Sequence, residues 1–163
     1  MTISPSPMRL VRTLALLAGL AVPSVASAQL ADAKALTAAA VRKVLAAAEA
    51  RAVQERWAVS IAVVDGAGDL VGFIKLDGAS VGTVQISMGK ARTAARFGRP
   101  TKVYADRVAA DTLNILSVDG VIALQGGLPI VVGGRVIGAV GVSGATSAQD
   151  EQVAAAGIAA IVP

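Results

Sequence analysis

The 163-residue chain contains no cysteine and no histidine. Disulfides, thiol nucleophiles, zinc sites, iron–sulfur clusters and catalytic triads built on an imidazole are therefore excluded. Aromatic residues are almost missing too: one Trp, one Tyr and two Phe make up 2%. That is too few for the stacking platforms on which single-stranded nucleic acids are held. Charged residues reach only 16%, against 55% hydrophobic. This balance rules out intrinsic disorder, and the length suits one domain.

What is present begins with an address. Arg9 and Arg12 precede an apolar run from Leu14 to Val22, closed by Pro23 and followed by Ala26-Ser27-Ala28. Basic, apolar, then small residues at alternate positions is the order of a secretory signal, and the run is shorter than the roughly 20 residues of a membrane span. The two arginines are separated, so the signal is not of the twin-arginine type. Without cysteine there is no lipid-anchored N-terminus. Residues 1–28 are expected to be removed, leaving 29–163 as a periplasmic or secreted domain with no membrane insertion. Both basic residues leave with the signal, which halves the formal net charge of +4. Arg92, Arg96, Arg99 and Lys102 gather in one stretch, but alanines separate them. They read as a solvated helix face, and no nucleic-acid partner is expected.

The mature chain alternates between two periods. Leu36 to Arg56 carries apolar residues at helical spacing (Leu36, Ala40, Val44, Ala48), with Thr37 as N-cap. Val59 to Val63 and Leu70 to Leu76 follow a period of two around the Asp65–Asp69 turn, which predicts an antiparallel hairpin. Ser80 to Phe97 returns to helix, with Val84, Met88, Ala91 and Ala95 as its inward stripe and Gly98 and Pro100 as its stop. Tyr104 to Leu116 is expected as a second, shorter helix. Leu128 to Val132 and Arg135 to Val142 flank Gly133-Gly134 as another hairpin. Ser147 to Ile161 closes the chain as a helix capped by Ser147, with Asp150 and Glu151 in its first turn. The order α-ββ-α-α-ββ-α predicts a single α+β domain: an antiparallel sheet of four to five strands with flanking helices. Gly138 and Gly141 leave little bulk on the last strand, so neighbouring chains or helices can approach closely there.

Candidate chemistry is sparse. Ser87-Met88-Gly89-Lys90 matches S-x-x-K, but no S-D-N or K-T-G partner accompanies it. Gly141-Val142-Ser143-Gly144 lacks the spacing of a nucleophile elbow. Asp65 and Asp69 lack the ligand alternation of a calcium loop and fit an ordinary turn. Gly126-Gly127 belongs to no phosphate-binding motif. It turns no corner that the pattern requires, which leaves close backbone contact with a ligand as one reading. Lys90 sits in a small, apolar helical stretch beside the inward stripe. Such a cation either reaches out to water or meets an anion at the rim of a pocket.

These residues carry a resemblance. Val63-Val64-Asp65 with Gly68, Lys75-Leu76-Asp77-Gly78-Ala79 and Lys90-Ala91-Arg92-Thr93-Ala94 come first. Gly126-Gly127-Leu128-Pro129-Ile130, Gly134 with Val136-Ile137-Gly138, Gly141-Val142-Ser143-Gly144 and Gln149-Asp150-Glu151 follow in the same order. From about Leu36 to Ile161 the chain resembles the GlcG/HbpS-like family of haem-binding or haem-degrading domains. The resemblance implies a compact domain of antiparallel sheet and helices, self-association into a homo-oligomer, and haem as the best-known ligand. The motif residues Lys90, Gly126, Gly127 and Asp150 are taken as the candidate binding site for a small anionic molecule. Lys90 would meet the anionic group, the two glycines would give backbone contact, and Asp150 would make a hydrogen bond. With no histidine, haem would bind without imidazole. Tyr104, Met88 and Lys90 are left as candidate iron ligands, with Lys90 or Arg92 facing the propionates. Two rival readings remain: an enzyme acting on a small oxyacid with Lys90 and Asp150 as its acid–base pair, and a ligand-free sensor or assembly partner.

Overall fold

A computed structural model describes residues 1–2 and 34–162, so the signal-peptide reading falls almost wholly outside the described residues. Helix α1 (Ala38–Gln54) opens at Thr37, whose hydroxyl accepts the Ala40 N–H. It is followed by strands β1 (Ser60–Asp65) and β2 (Leu70–Lys75) and helices α2 (Thr83–Phe97) and α3 (Lys102–Ala109). A short 3-10 turn, Leu113–Ser117, precedes strands β3 (Gly127–Val132) and β4 (Arg135–Ser143) and helix α4 (Ser147–Ala159). The strands form one antiparallel sheet in the order β2-β1-β4-β3. The α+β class, the element order and the four-stranded lower bound are as the sequence predicts.

The pleat sorts the core by size. Ile61, Val63, Val140 and Val142 point to one face and bury against Val44 and Ala48 of α1 and Val153 and Ala154 of α4. Each fully buried Val or Ile of this layer contributes roughly 1.5–3 kcal/mol. Ala62, Val64 and Ala139 point to the other face, against Ala91, Ala94 and Ala95 of α2. That second layer is thin. A methyl added at Gly141 would overlap the Ser87 carbonyl and the Ala91 nitrogen, so the α2 backbone rests directly on β4. The room at Gly138 is likewise filled from within the chain, by Leu36 and the Val64 carbonyl.

Three local readings change. Thin packing rotates α2 relative to the expected stripe: Thr83, Ser87, Ala91 and Ala94 are buried, while Val84 and Met88 are only half-buried. A Val or Met does not fit between backbones so close. The helix expected over Tyr104 to Leu116 is broken, because Asp111 takes a left-handed φ of 61°, which Asp tolerates better than most residues. The α4 cap is Thr146 rather than Ser147: Thr146 and Gln149 exchange hydrogen bonds as a capping box.

Candidate functional site

Lys90 projects from α2, on one face of the sheet, and Asp150 from the first turn of α4, on the other. They meet. Lys90 Nζ donates to Asp150 Oδ2 at 2.9 Å and to the Val142 carbonyl at 2.9 Å. The two side chains are 2% and 3% exposed. The route between the faces runs past the start of β3. Val142 N–H donates to the Gly126 carbonyl, but the Val142 carbonyl takes the lysine ammonium in place of a further ladder N–H.

The paired glycines make this passage. A Cβ on Gly126 would lie 2.8 Å from both Lys90 Nζ and Asp150 Cβ, and its φ of +122° is one that side chains rarely adopt. A Cβ on Gly127 would overlap the Lys90 carbonyl and lie 2.7 Å from Thr101 Cγ2. The close backbone approach expected of Gly126-Gly127 is therefore made to Lys90, Asp150 and Thr101 of the same chain. Thr101 completes the clamp: its hydroxyl accepts the Gly127 N–H at 2.9 Å, and its own N–H donates to the Gly127 carbonyl.

All four predicted site residues thus come together. Their polar atoms are largely spent on one another. Asp150 Oδ1 accepts the Ala145 N–H at 3.0 Å, which fixes the turn into α4. Burial pushes the Asp150 carboxyl above its ordinary value of 3.8; the hydrogen bond and charge of Lys90, and the Ala145 N–H, oppose that rise without cancelling it. Lys90 neither reaches water nor waits at a rim, since its charge is balanced by Asp150.

The other candidates separate. Ser87 Oγ donates to the Val84 carbonyl within its own helix, while Lys90 points to Asp150, so S-x-x-K is not assembled as a serine–lysine couple. Asp65 Oδ1 accepts the Ala67 and Asp69 N–H groups and forms a turn. No group of three metal-ligating side chains exists among the described residues. Tyr104 is 4% exposed, with its ring edge-on to Phe97 at 5.8 Å. Arg92 and Arg96 do more than face solvent: each donates through Nε to the β1–β2 turn, at the Gly68 and Ala67 carbonyls.

Sequence reasoning missed three polar contacts that frame the site. Ser60 and Thr83 share a 2.7 Å hydrogen bond between β1 and α2. Thr93 Oγ1 donates to Gly120 O and accepts from Ile122 N–H, pinning the loop before β3. Thr101 is the third. Isolated Ser and Thr carry no spacing signal, and each partner lies more than 20 residues away. Beside the site, Pro100, Leu128, Pro129, Ala155, Ile158, Ala159 and Val162 line an apolar surface groove of about 380 Å³ between β3 and α4. Neither Lys90 nor Asp150 opens into it.

Residues 36–159 match the family model for haem degrading protein HbpS-like. Over 100 residues the chain is 42% identical to Protein GlcG of Escherichia coli (strain K12), which covers 61% of this chain and 75% of that one. A double mutant of HbpS from Streptomyces reticuli superposes with a TM-score of 0.76 at 29% identity, covering 95% of this chain and 100% of that one. A PduOC:heme complex superposes with a TM-score of 0.73 at 27% identity, covering 79% of this chain and 96% of that one.

Proposed function

The chain belongs to the HbpS-like family, and from that membership we propose that it is an exported, self-associating haem-binding protein that holds the porphyrin by its ring rather than by its iron. The groove between β3 and α4 carries this reading. Its lining is apolar, as a porphyrin face requires. Arg99, exposed beside Pro100, supplies a cation for a propionate, and Lys102, paired at the surface with Asp106 at 2.7 Å, would have to exchange that partner for a second. The lining has no side chain able to ligate iron. Among the earlier candidates Lys90 is consumed by Asp150, Tyr104 is buried and Met88 is packed against the Ala62–Val64 face. A similar fold carries haem in the PduOC complex.

The groove residues fit the macrocycle and its carboxylates but not the metal, so no redox step is assigned. Haem, when bound, would supply its own iron chemistry. An acid–base role for Lys90 and Asp150 on an oxyacid has less support, because each is held in the interior by the other. Self-association rests on the exposed Val71 of edge strand β2 and Val131 of edge strand β3, which leave unpaired ladder groups beside apolar surface.

The test compares haemin with metal-free protoporphyrin IX on the mature protein. Equal affinities within about threefold, both weakened at least tenfold by Ile158→Asp, are expected. Haemin binding that is much tighter than that of the metal-free ring, or untouched by Ile158→Asp, overturns the reading. N-terminal sequencing of the exported product is expected to begin at Gln29.

A further inference from the structure

A second groove, which shares no lining residue with the first, lies where α1 ends and β2 stops. It measures about 410 Å³ and includes Glu49, Arg56, Trp57, Ala58, Leu76 and Asp77 in its lining. That volume is within the usual range for small-molecule sites. Its character differs from the apolar groove: the half-buried indole of Trp57 and the Leu76 side chain sit among charges of both signs. Among the described residues, Glu49, Arg56 and Asp77 have no side-chain partner, although Arg51 and Glu55, on the same helix as Glu49, pair at 3.1 Å.

Arg56 is held there at a cost. The Arg56 N–H donates to the Val53 carbonyl and the Trp57 N–H to the Ala52 carbonyl, the two bonds of a Schellman motif. The residue after the cap in that motif must be left-handed and is usually Gly, yet here it is Arg56 at φ 60°. An arginine thus lines the groove at a position where a side chain is disfavoured, with Trp57, Glu49 and Asp77 in the same lining.

We propose that this groove binds a zwitterionic α-amino acid with an apolar side chain. Arg56 receives the carboxylate, Glu49 and Asp77 receive the ammonium, and Trp57 with Leu76 and Ala58 covers the apolar body. A cation on indole and carboxylates alone would explain an amine site; the guanidinium adds the demand for an anion on the same molecule. Porphyrin does not suit it, having no cationic group for the two acids.

Trp57 is the sole tryptophan, so its fluorescence reports this groove directly. L-leucine, 4-methylpentanoate and 3-methylbutylamine are titrated into the full-length mature protein. Leucine is expected to give a saturable change, with each single-charge analogue at least tenfold weaker. Arg56→Gly, which relieves the backbone, should fold with an unchanged or higher urea midpoint and bind leucine and the amine equally. Asp77→Asn with Glu49→Gln should instead equalise leucine and the acid. No saturation by leucine below about 10 mM, an amine or acid binding as tightly as leucine to the unmodified protein, or an unaltered preference in either variant overturns the proposal.

Discussion

Replacing Lys90 by Met removes one charge while keeping an unbranched apolar stem of similar length, so the measured loss is mainly electrostatic. At 2.9 Å and an effective dielectric constant of about 20, the pair attracts by roughly 6 kcal/mol. Desolvating two ions costs several kcal/mol each, so the pair as a whole is close to neutral against an apolar substitute. Breaking it is another matter. With Lys90 gone, Asp150 stays about 97% covered without its partner, and a loss of about 3–5 kcal/mol at pH 7 is expected. The sign with pH follows from Asp150. Its folded pKa already lies above 3.8 because of burial, and losing Lys90 removes the main opposition and raises it further. A raised carboxyl contributes stability that is fully present below the unfolded value and lost as pH rises through the folded one. The deficit of Lys90→Met should therefore shrink, by about half or more, between pH 7 and pH 4. Urea unfolding followed by Trp57 fluorescence at fixed protein concentration measures it. Lys90→Met combined with Asp150→Asn keeps the acceptor for Ala145 N–H and should recover most of the loss. A deficit that is independent of pH, or below about 1 kcal/mol, refutes this account of the pair.

Gly141→Ala should cost about 2–3 kcal/mol by forcing the α2 backbone off β4; a urea midpoint equal to that of the unmodified protein contradicts the close contact. Arg56→Gly should raise stability by up to about 1 kcal/mol, because the left-handed φ of 60° suits Gly. Thermal unfolding in the absence of added ligands reads that change.

Much of the fold was legible because its signals are local. Asp65 and the glycines of Gly133-Gly134 mark hairpins at two-residue period, and Gly98, left-handed at φ 64°, stops α2 where the sequence places a stop. The break at Asp111 was not legible, because the apolar residues Leu113 and Leu116 continue a helical spacing that nothing local interrupts. At the site, the four residue types pointed to a polar cluster, but their partners did not show. Lys90 and Asp150 are 60 residues apart, and no periodicity connects a helix on one face of a sheet with a helix on the other. For the same reason Gly126-Gly127 read equally well as contact with a ligand, since a glycine records only that something comes close. Which atoms come close is decided by the register of β3 against β4.

The passage of Lys90 through the end of the sheet also bears on how the molecule comes apart. In most layered domains a helix can lift from its sheet while the opposite layer stays docked, and amide exchange then reports two independent openings. Here α2 cannot lift without drawing its ammonium back between Gly126 and Val142 and stranding a carboxylate under α4. The slowest amides of α2 and α4 should consequently exchange together, at one common rate, as parts of a single cooperative unit that spans both sides of the sheet.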